Sequence, residues 1–268
     1  GNIPAGYWRR LVWSLKGTTE GHKSIRYNVN SINGGTASVT NTVIVDGTDP
    51  ASWQNLYPDW ANSTTPTVWI QVRDALSGLN TSRLYYWYWT SGTGVQGPFS
   101  CNTGASNGST ALEWIYTNAV PFNQEGGSGE NQIYFRAYDR AGNYGDSGWQ
   151  VVKIDVTDPQ DWQNFTVTDV GTTGLTPTCT VQVRDVLAGL SISTLGWYRY
   201  STNGGSSWSS WYSTSLTGSD GTNAFQTITA SNVPFNQQNA TQNKIQFAAR
   251  DIAGNWGYSP QYTVATKY

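Results

Sequence analysis

The sequence predicts an all-β protein that contains two antiparallel β-sandwiches in tandem, with part of a third before them. Three observations lead to this fold class. Blocks of sequence recur in the same order at a spacing of roughly 110 residues. Apolar residues alternate with polar ones at a period of two, which is the period of a β-strand. Clusters of Gly, Asn and Ser separate these stretches, and no stretch shows the spacing of an amphipathic helix.

The internal repeat defines the domain organisation. Its first block is Thr-Asp-Pro followed by Trp, at 48–53 and again at 157–162. The other matched blocks are 65–74 with 176–185, 120–124 with 233–237, and 139–143 with 251–255. Because all pairs keep their order, the sequence predicts two copies of one domain, over 47–156 and 157–268.

Residues 1–46 match only the end of this repeat. When Asp46 is placed on Asp155 without gaps, the alternating valines before Asp46 fall on the last apolar strand of the first copy. The segment is therefore predicted to form only the late strands of such a domain.

Alternate residues form the predicted core face of the strands in each copy. They are Val68, Ile70 and Val72 with Cys179, Val181 and Val183; Ile133, Phe135 and Ala137 with Ile245, Phe247 and Ala249; and Val152 and Ile154 near the end of the first copy. Cys101 and Cys179 occupy non-equivalent places in the two copies, so a disulfide within either copy is excluded. We expect two free thiols.

Composition excludes several classes of protein. Lys and Arg number 15 against 17 Asp and Glu, so the chain lacks the basic excess that binds phosphates and we expect no nucleic-acid partner. Aromatic residues make up 14% of the chain, which is far more apolar area than a disordered protein carries. No apolar run approaches the roughly 18 residues of a membrane helix, so we expect no membrane span.

Other features favour an extracellular or cell-surface location. The chain has no Met, even at position 1, so we expect a processed chain or a fragment. Sequons of the form Asn-x-Ser/Thr, which accept glycans in secreted proteins, make five residues glycosylation candidates. They are Asn62, Asn80, Asn107, Asn164 and Asn239.

Four motifs of the repeat occur together: Asp-Pro followed by Trp; a Val-Arg-Asp strand with Ser-Gly-Leu or Ala-Gly-Leu behind it; Pro-Phe-Asn-Gln; and a closing Asp-x-Ala-Gly-Asn turn. In this combination the chain resembles the immunoglobulin-like repeats of large bacterial and archaeal cell-surface proteins, over nearly all of 47–268. The resemblance implies immunoglobulin-like sandwiches of about seven strands. It specifies little about function, because such domains serve as stalks, adhesins, filament or sheath subunits and enzyme appendages.

Carboxylates recur with the repeat. The pairs are Asp46 with Asp155, Asp49 with Asp158, Asp74 with Asp185, and Asp139 with Asp251. An enzyme needs one well-made site, so carboxylates duplicated at strand ends indicate architecture. We expect Asp139, Asp251, Asp155 and Asp158 to cap turns by accepting hydrogen bonds from backbone N–H groups.

Calcium is the alternative role for these carboxylates, because Ca²⁺ favours several carboxylate and carbonyl oxygens. Asp155, Asp158 and Asp161 in the linker could supply them, with Asp74 or Asp139 approaching from loops. No twelve-residue calcium loop and no Asp-x-Asp-x-Asp run exists, so we assign no metal and no other cofactor.

Catalytic constellations are missing from the sequence. His22 is the single histidine, which leaves neither a Ser-His-Asp triad nor a multi-histidine zinc site. Cys-x-x-Cys and Walker-type glycine loops are absent as well. A glycosidase needs only two carboxylates, but none of the four Glu residues recurs in the second copy. We expect no enzymatic activity.

Aromatic residues are predicted on outward faces. Residues 85–89 are all aromatic, so both faces of that strand carry rings. Outward or loop positions are also predicted for Trp69, Trp149, Trp208, Trp211 and Trp256. Exposed rings stack on sugars or anchor protein interfaces. Because the rings are spread over both copies and form no single platform, we favour protein contact and keep glycans as the alternative partner.

The partial copy suggests how the protein assembles. In segment 7–16, Leu11, Trp13 and Leu15 share one face of a predicted strand. A sandwich without its first strands exposes unpaired backbone N–H and C=O groups. A strand of a neighbouring molecule can form hydrogen bonds with them, which is strand addition. A head-to-tail contact that does not close produces a filament. We therefore hypothesise an extracellular, non-enzymatic subunit of a surface filament, sheath or layer, which is a head-to-tail homopolymer built by strand complementation.

The alternative hypothesis treats residues 1–46 as the end of one more repeat. The chain is then a carbohydrate-binding or spacer segment of a larger secreted adhesin or enzyme.

Overall fold

The computed structural model of the chain describes residue 10 and residues 12–32, 34–122, 125–127, 129–168, 176–235 and 242–265. These residues form β-strands and one short 3-10 turn, Ile192–Thr194. The strands are β1 (Gly21–Ser31), β2 (Gly35–Val45), β3 (Ala51–Tyr57), β4 (Trp60–Ala61), β5 (Trp69–Arg73), β6 (Leu79–Thr90), β7 (Gly94–Ser100), β8 (Asn102–Thr103), β9 (Glu113–Tyr116), β10 (Asn131–Asp139), β11 (Tyr144–Val151), β12 (Lys153–Ile154), β13 (Gln160–Thr168), β14 (Thr178–Arg184), β15 (Gly196–Ser201), β16 (Tyr212–Thr217), β17 (Gln226–Ala230), β18 (Lys244–Arg250), β19 (Trp256–Tyr258) and β20 (Tyr262–Thr263). The predicted all-β class with antiparallel sheets is confirmed.

β1 and β2 form a separate two-stranded hairpin in continuous antiparallel register, from Gly21 opposite Val45 to Ser31 opposite Gly35. No residue of this hairpin is buried, so both of its faces meet solvent. Among the described residues, neither β1 nor β2 pairs with any other strand.

The strand predicted over 7–16 is absent from the described part of that segment, where residue 10 and residues 12–16 form no strand. Trp13 and Leu15 are 61% and 65% exposed, and Trp13 lies against the Tyr27 ring at 5.8 Å between centroids. Leu11 lies outside the described residues. The physical reason is that a strand needs a hydrogen-bonding neighbour, and no described strand pairs with residues 12–16.

A first sandwich encloses the core that the alternation predicts. Its two sheets have the strand orders β3-β5-β9-β8 and β11-β10-β6-β7. Val68, Val72, Ile133 and Phe135 are fully buried between them. Full burial of one such side chain contributes roughly 1.5–3 kcal/mol to folding.

The aromatic run on β6 divides between two faces, as predicted. Tyr86 and Tyr88 enter the first core, at 5% and 8% exposure. The alternate residues Tyr85, Trp87 and Trp89 are partly exposed on the outer face.

A second sandwich has the strand order β13-β14-β17-β16-β15-β18-β19, with β20 also paired to β18. β16 pairs with both β15 and β17, so it connects the two layers around the second core. Cys179, Val181, Ile245 and Phe247 are fully buried in that core, as the alternation predicts.

Two glycines permit a close backbone approach where each sandwich begins. A Cβ on Gly145 would lie 1.8 Å from the carbonyl oxygen of Pro50, and one on Gly257 would lie 2.0 Å from that of Pro159. Only glycine fits at such distances. The strand that closes each sandwich is therefore held directly against the chain that enters it.

The described residues include no helix that is long and apolar enough to cross a membrane.

Two candidate metal centres at the junctions

Six aspartates stand at the ends of strands. Asp74 and Asp185 follow β5 and β14, Asp139 ends β10, and Asp251 follows β18. Asp46 and Asp155 follow β2 and β12, at the points where the chain leaves the hairpin and the first sandwich. The ends of these strands lie close together, which brings the six carboxylates into two groups of three.

The first centre consists of Asp46, Asp74 and Asp139, and the second consists of Asp155, Asp185 and Asp251. In each centre, one carboxylate oxygen from every residue lies within 4.8 Å of the others. All three side chains of the second centre are buried, whereas Asp46 in the first centre is partly exposed.

Short backbone loops fix the second centre. Asp155 accepts hydrogen bonds from the N–H groups of Thr157 at 3.0 Å and Ala188 at 2.7 Å. Asp185 Oδ1 accepts from the N–H groups of Leu187 at 3.0 Å and Gly189 at 2.9 Å. The carboxylate of Asp155 therefore ties the end of the first sandwich to a loop of the second.

The Asp-x-Ala-Gly-Asn turn supplies the third carboxylate of the second centre. Asp251 Oδ1 accepts the N–H groups of Gly254 and Asn255, and Asp251 Oδ2 accepts the Asn255 side-chain amide at 2.7 Å. The same amide donates to the backbone carbonyl of Asp155 at 2.8 Å. The turn and the junction are thus one connected unit.

One buried oxygen of the second centre has no partner. Asp185 is 1% exposed, and its Oδ2 atom makes no hydrogen bond with the described residues. A buried charged oxygen without a hydrogen bond is costly, and a cation is one group that satisfies it.

The first centre repeats these contacts in the hairpin junction. Asp46 accepts from the N–H of Thr48 at 3.0 Å and from that of Ser77 at 2.9 Å. The Asn143 amide donates to the backbone carbonyl of Asp46 at 3.1 Å and to Asp139 Oδ2 at 2.7 Å. The hairpin is therefore attached to the first sandwich in the way that the first sandwich is attached to the second.

A glutamate accompanies each junction. Glu20 Oε1 accepts the N–H of Gly47 at 2.9 Å, and Glu125 Oε1 accepts those of Val156 and Thr157 at 3.1 Å. The sequence showed no recurrence of Glu between the two complete copies. Glu20 matches Glu125 only when the hairpin is compared with the end of the first sandwich, so this correspondence was missed.

Burial sets the electrostatics of the centres. It raises the pKa of Asp155 to about 7, with the hydrogen bond to Glu125 and the charge of Asp185 acting in the same direction. Burial also raises the pKa of Asp74 and of Asp251. The pKa of Asp46 is lowered instead, because hydrogen bonds from Ser77 and Thr48 outweigh the effect of its partial burial.

In the described part of the chain, no Lys or Arg forms an ion pair with either centre. Among the described residues, the Lys and Arg ion pairs are Arg136 with Asp146, Lys153 with Asp59, and Arg184 with Asp161. Two unit charges 4.8 Å apart repel by about 3.5 kcal/mol at an effective dielectric constant of 20. A cation bound among three carboxylates this close would offset that repulsion.

The residues fit a calcium ion. Ca²⁺ binds oxygens at 2.3–2.6 Å, so two ligands on opposite sides of it lie about 4.8 Å apart. The three carboxylates of each centre would supply three ligands, and water or backbone carbonyls would complete the six to eight that the ion takes. Mg²⁺ also takes carboxylate oxygens but demands shorter, octahedral contacts.

Of the residues considered as calcium ligands in the sequence, the structure places Asp74, Asp139 and Asp155 in the two centres. Asp158 is exposed and Asp161 pairs with Arg184, so neither belongs to a centre. Asp161 lies on β13, where its side chain meets Arg184 of the neighbouring strand β14. Asp46 and Asp185 were not named as ligands, although their pairing with Asp155 and Asp74 in the repeat was the available signal.

The remaining candidate residues lie on the surface. Asn62, Asn107 and Asn164 are exposed and Asn80 is partly exposed, whereas Asn239 lies outside the described residues. Trp149 is 44% exposed, and the other outward tryptophans are partly exposed: Trp69, Trp208, Trp211 and Trp256. Both cysteines are free, and Cys179 is buried.

Comparison with known proteins shows only distant likenesses. No protein-family model and no curated protein matches the sequence. Similar solved structures include bovine butyrophilin, with a TM-score of 0.32 and 6% identity, covering 77% of this chain and 93% of that one. Another is a 1.5-MDa bacterial ice-binding adhesin, with a TM-score of 0.36 and 12% identity, covering 92% of this chain and 74% of that one. No conclusion about function follows from similarities this loose.

Proposed function

We propose that this chain is a non-enzymatic structural segment of an extracellular surface protein, in which Ca²⁺ clamps immunoglobulin-like sandwiches end to end. The observation that carries the proposal is the duplicated junction. Each junction has three aspartates, a glutamate and an asparagine with matching contacts. A catalytic site has no reason to recur at every domain boundary, whereas a structural joint does.

The role of the ion is to stiffen the joint. Two ligands of each centre belong to one sandwich, and the third belongs to the chain that enters it from the preceding unit. A bound cation would offset the repulsion of the buried carboxylates and hold all three segments together. Without it, the junction opens more readily because the same carboxylates repel one another.

Calorimetric titration of the metal-stripped full chain tests this proposal. We expect two Ca²⁺ per chain, and one in the Asp185→Asn variant, whose amide oxygen still accepts the Leu187 and Gly189 N–H groups. Asp158→Asn is the matched control, because Asp158 is exposed and outside the centres, and it should keep two sites. No binding, tighter binding of Mg²⁺, or an Asp185→Asn variant with unchanged stoichiometry would contradict the proposal.

Hydrogen exchange tests the stiffening. Residues 155–158 should exchange at least about tenfold more slowly with saturating Ca²⁺ than with EDTA, because closing the junction protects its amides. Equal exchange rates would show that the ion, if bound, does not hold the joint.

A second candidate function is assembly through the hairpin, with the chain as a filament subunit. The specific observation is the set of apolar side chains that the hairpin exposes: Val29 at 63%, Val39 at 55%, Val43 at 42% and Ile44 at 38%. Its outer edges carry unpaired backbone groups, which favour strand addition. We propose a neighbouring molecule as the partner that covers them.

Sedimentation velocity and electron microscopy test the assembly. The full chain should form concentration-dependent polymers, which Val43→Lys should abolish by adding a charge to the hairpin face that Val29, Val39 and Val43 share. Val186→Lys is the matched control, because Val186 is 49% exposed and lies outside the hairpin. A chain that stays monomeric at millimolar concentration, or equal effects of the two variants, would overturn this candidate.

A further inference from the structure

An open cavity of about 220 Å³ lies on the outer face of the second sandwich. Its walls are Trp197, Trp211, Trp256 and Tyr258, and Ala248 forms its floor. Trp197 and Trp256 meet edge to face at 6.3 Å, and Trp211 lies 5.7 Å from Tyr258. Ala248 is on the outer face of β18, yet these rings leave it only 2% exposed.

The first sandwich has a cation at the corresponding place. Gly145 and Gly257 make the same close contact with a proline carbonyl, and this equivalence aligns β10 with β18 and β11 with β19. In that alignment Arg136 takes the place of Ala248. The Arg136 guanidinium lies 4.2 Å from the centre of the Tyr144 ring and 5.7 Å from that of Trp87.

The second sandwich keeps two of the ring positions and has Arg199 in place of Trp87. Trp256 stands where the first sandwich has Tyr144, and Trp197 stands where it has Tyr85. The methyl group of Ala248 is too small to fill the volume that the Arg136 side chain takes in the first sandwich, and the cavity borders Ala248. The place that the Arg136 guanidinium takes beside Tyr144 is therefore not filled by residue 248 beside Trp256, while the Arg199 guanidinium lies against Trp211.

One more difference selects the type of cation. Asp146 binds the Arg136 guanidinium through hydrogen bonds of 2.7 and 2.9 Å, and Tyr258 replaces that carboxylate in the second sandwich. A guanidinium or ammonium ion in the cavity would leave N–H donors without this acceptor. A quaternary ammonium group has no N–H donors, and its methyl groups and diffuse charge suit aromatic faces.

We propose that this cavity binds a quaternary ammonium group of a small organic cation. Sugars fit less well, because their hydroxyl groups need several polar partners and the lining offers few. The Trp197 indole N–H already donates to the Thr194 carbonyl at 3.0 Å. Arg199, whose guanidinium lies 4.8 and 4.9 Å from the ring centres of Trp208 and Trp211, places a positive charge at the lining, and its repulsion limits affinity.

Titration with choline chloride, monitored through the indole N–H resonances of the full chain, tests the proposal. Trp256→Phe and Trp211→Phe assign the two resonances that should shift. The neutral isostere 3,3-dimethyl-1-butanol has the same shape without the charge, and we expect it to bind about tenfold more weakly. Arg199→Gln should strengthen choline binding, because it removes the nearby positive charge.

The matched variant is Ala248→Arg with Tyr258→Asp, which rebuilds the ion pair of the first sandwich in the second. It should abolish the choline-induced shifts while the unfolding midpoint stays at or above that of the original chain. Equal affinity for the neutral isostere, tighter binding of methyl glucoside than of choline, or shifts that survive in this variant would overturn the proposal.

Discussion

The side-chain amide of Asn255 donates a hydrogen bond of 2.8 Å to the backbone carbonyl of Asp155, which lies 100 residues earlier in the chain. The same amide binds Asp251 Oδ2 at 2.7 Å. One side chain therefore joins the exit of the first sandwich to the last turn of the second. Asn143 makes the equivalent bonds to Asp46 and Asp139, so the joint is built twice.

Replacing Asn255 by Ala should weaken this joint. The change leaves a backbone carbonyl and a buried carboxylate short of a donor, which costs about 1–3 kcal/mol. Guanidinium unfolding of the full chain should show the loss in the transition of the second sandwich. Asn143→Ala should shift the first transition instead, and a change below about 0.5 kcal/mol in both variants would show that water replaces the amide.

Replacing Gly257 by Ala should destabilise the second sandwich. The added Cβ would stand 2.0 Å from the carbonyl oxygen of Pro159, so the backbone must move. Overpacking of this kind costs about 1–3 kcal/mol, measurable as a lower thermal midpoint. Gly104→Ala is the control, because a Cβ on Gly104 meets nothing within 4 Å. If both variants melt alike, the close contact is not a constraint in solution.

The Cys179 thiol should be unreactive in the folded chain. Burial raises its pKa to about 12, so at pH 8 it is protonated as well as inaccessible. In a Cys101→Ser background, Ellman's reagent should label Cys179 only after guanidinium is added. Labelling within seconds under native conditions would mean that β14 opens readily.

The ion pair of Arg136 and Asp146 should contribute to stability in a pH-dependent way. The hydrogen bond from Arg136 lowers the pKa of Asp146 below its usual value. The contribution is therefore present above the unfolded pKa of about 3.9 and is lost as pH falls through the lower folded pKa.

The check is urea unfolding of the original chain and Asp146→Asn between pH 7 and pH 2. The difference between the two should be constant near neutrality and should shrink below pH 4. It should also shrink in high salt, because both side chains are partly exposed. A stability difference that grows on acidification would contradict the predicted contribution of the ion pair.

Local pattern was enough to predict the cores. The alternation in β5, β10, β14 and β18 identified the fully buried side chains because a strand sends successive residues to opposite faces. The pairing of Asp74 with Asp185 likewise marked both as architectural. Neither inference depends on which strands are neighbours in the sheet.

The strand predicted over 7–16 shows where local pattern fails. Trp13 and Leu15 have the right spacing, yet a strand forms only where another strand supplies hydrogen bonds. The same limitation hid the role of Asp185, whose ligand-like oxygen is defined by Asp155 and Asp251 on other segments.

The sequence alone thus determined the all-β class, the inward faces of the strands and the recurring aspartates, since these depend on residue type and a period of two. Tertiary structure decided which three carboxylates meet, and that Ala248 leaves an aromatic cavity where Arg136 fills its counterpart. Such sites join residues far apart in the chain, and their distances depend on how the sheets pack.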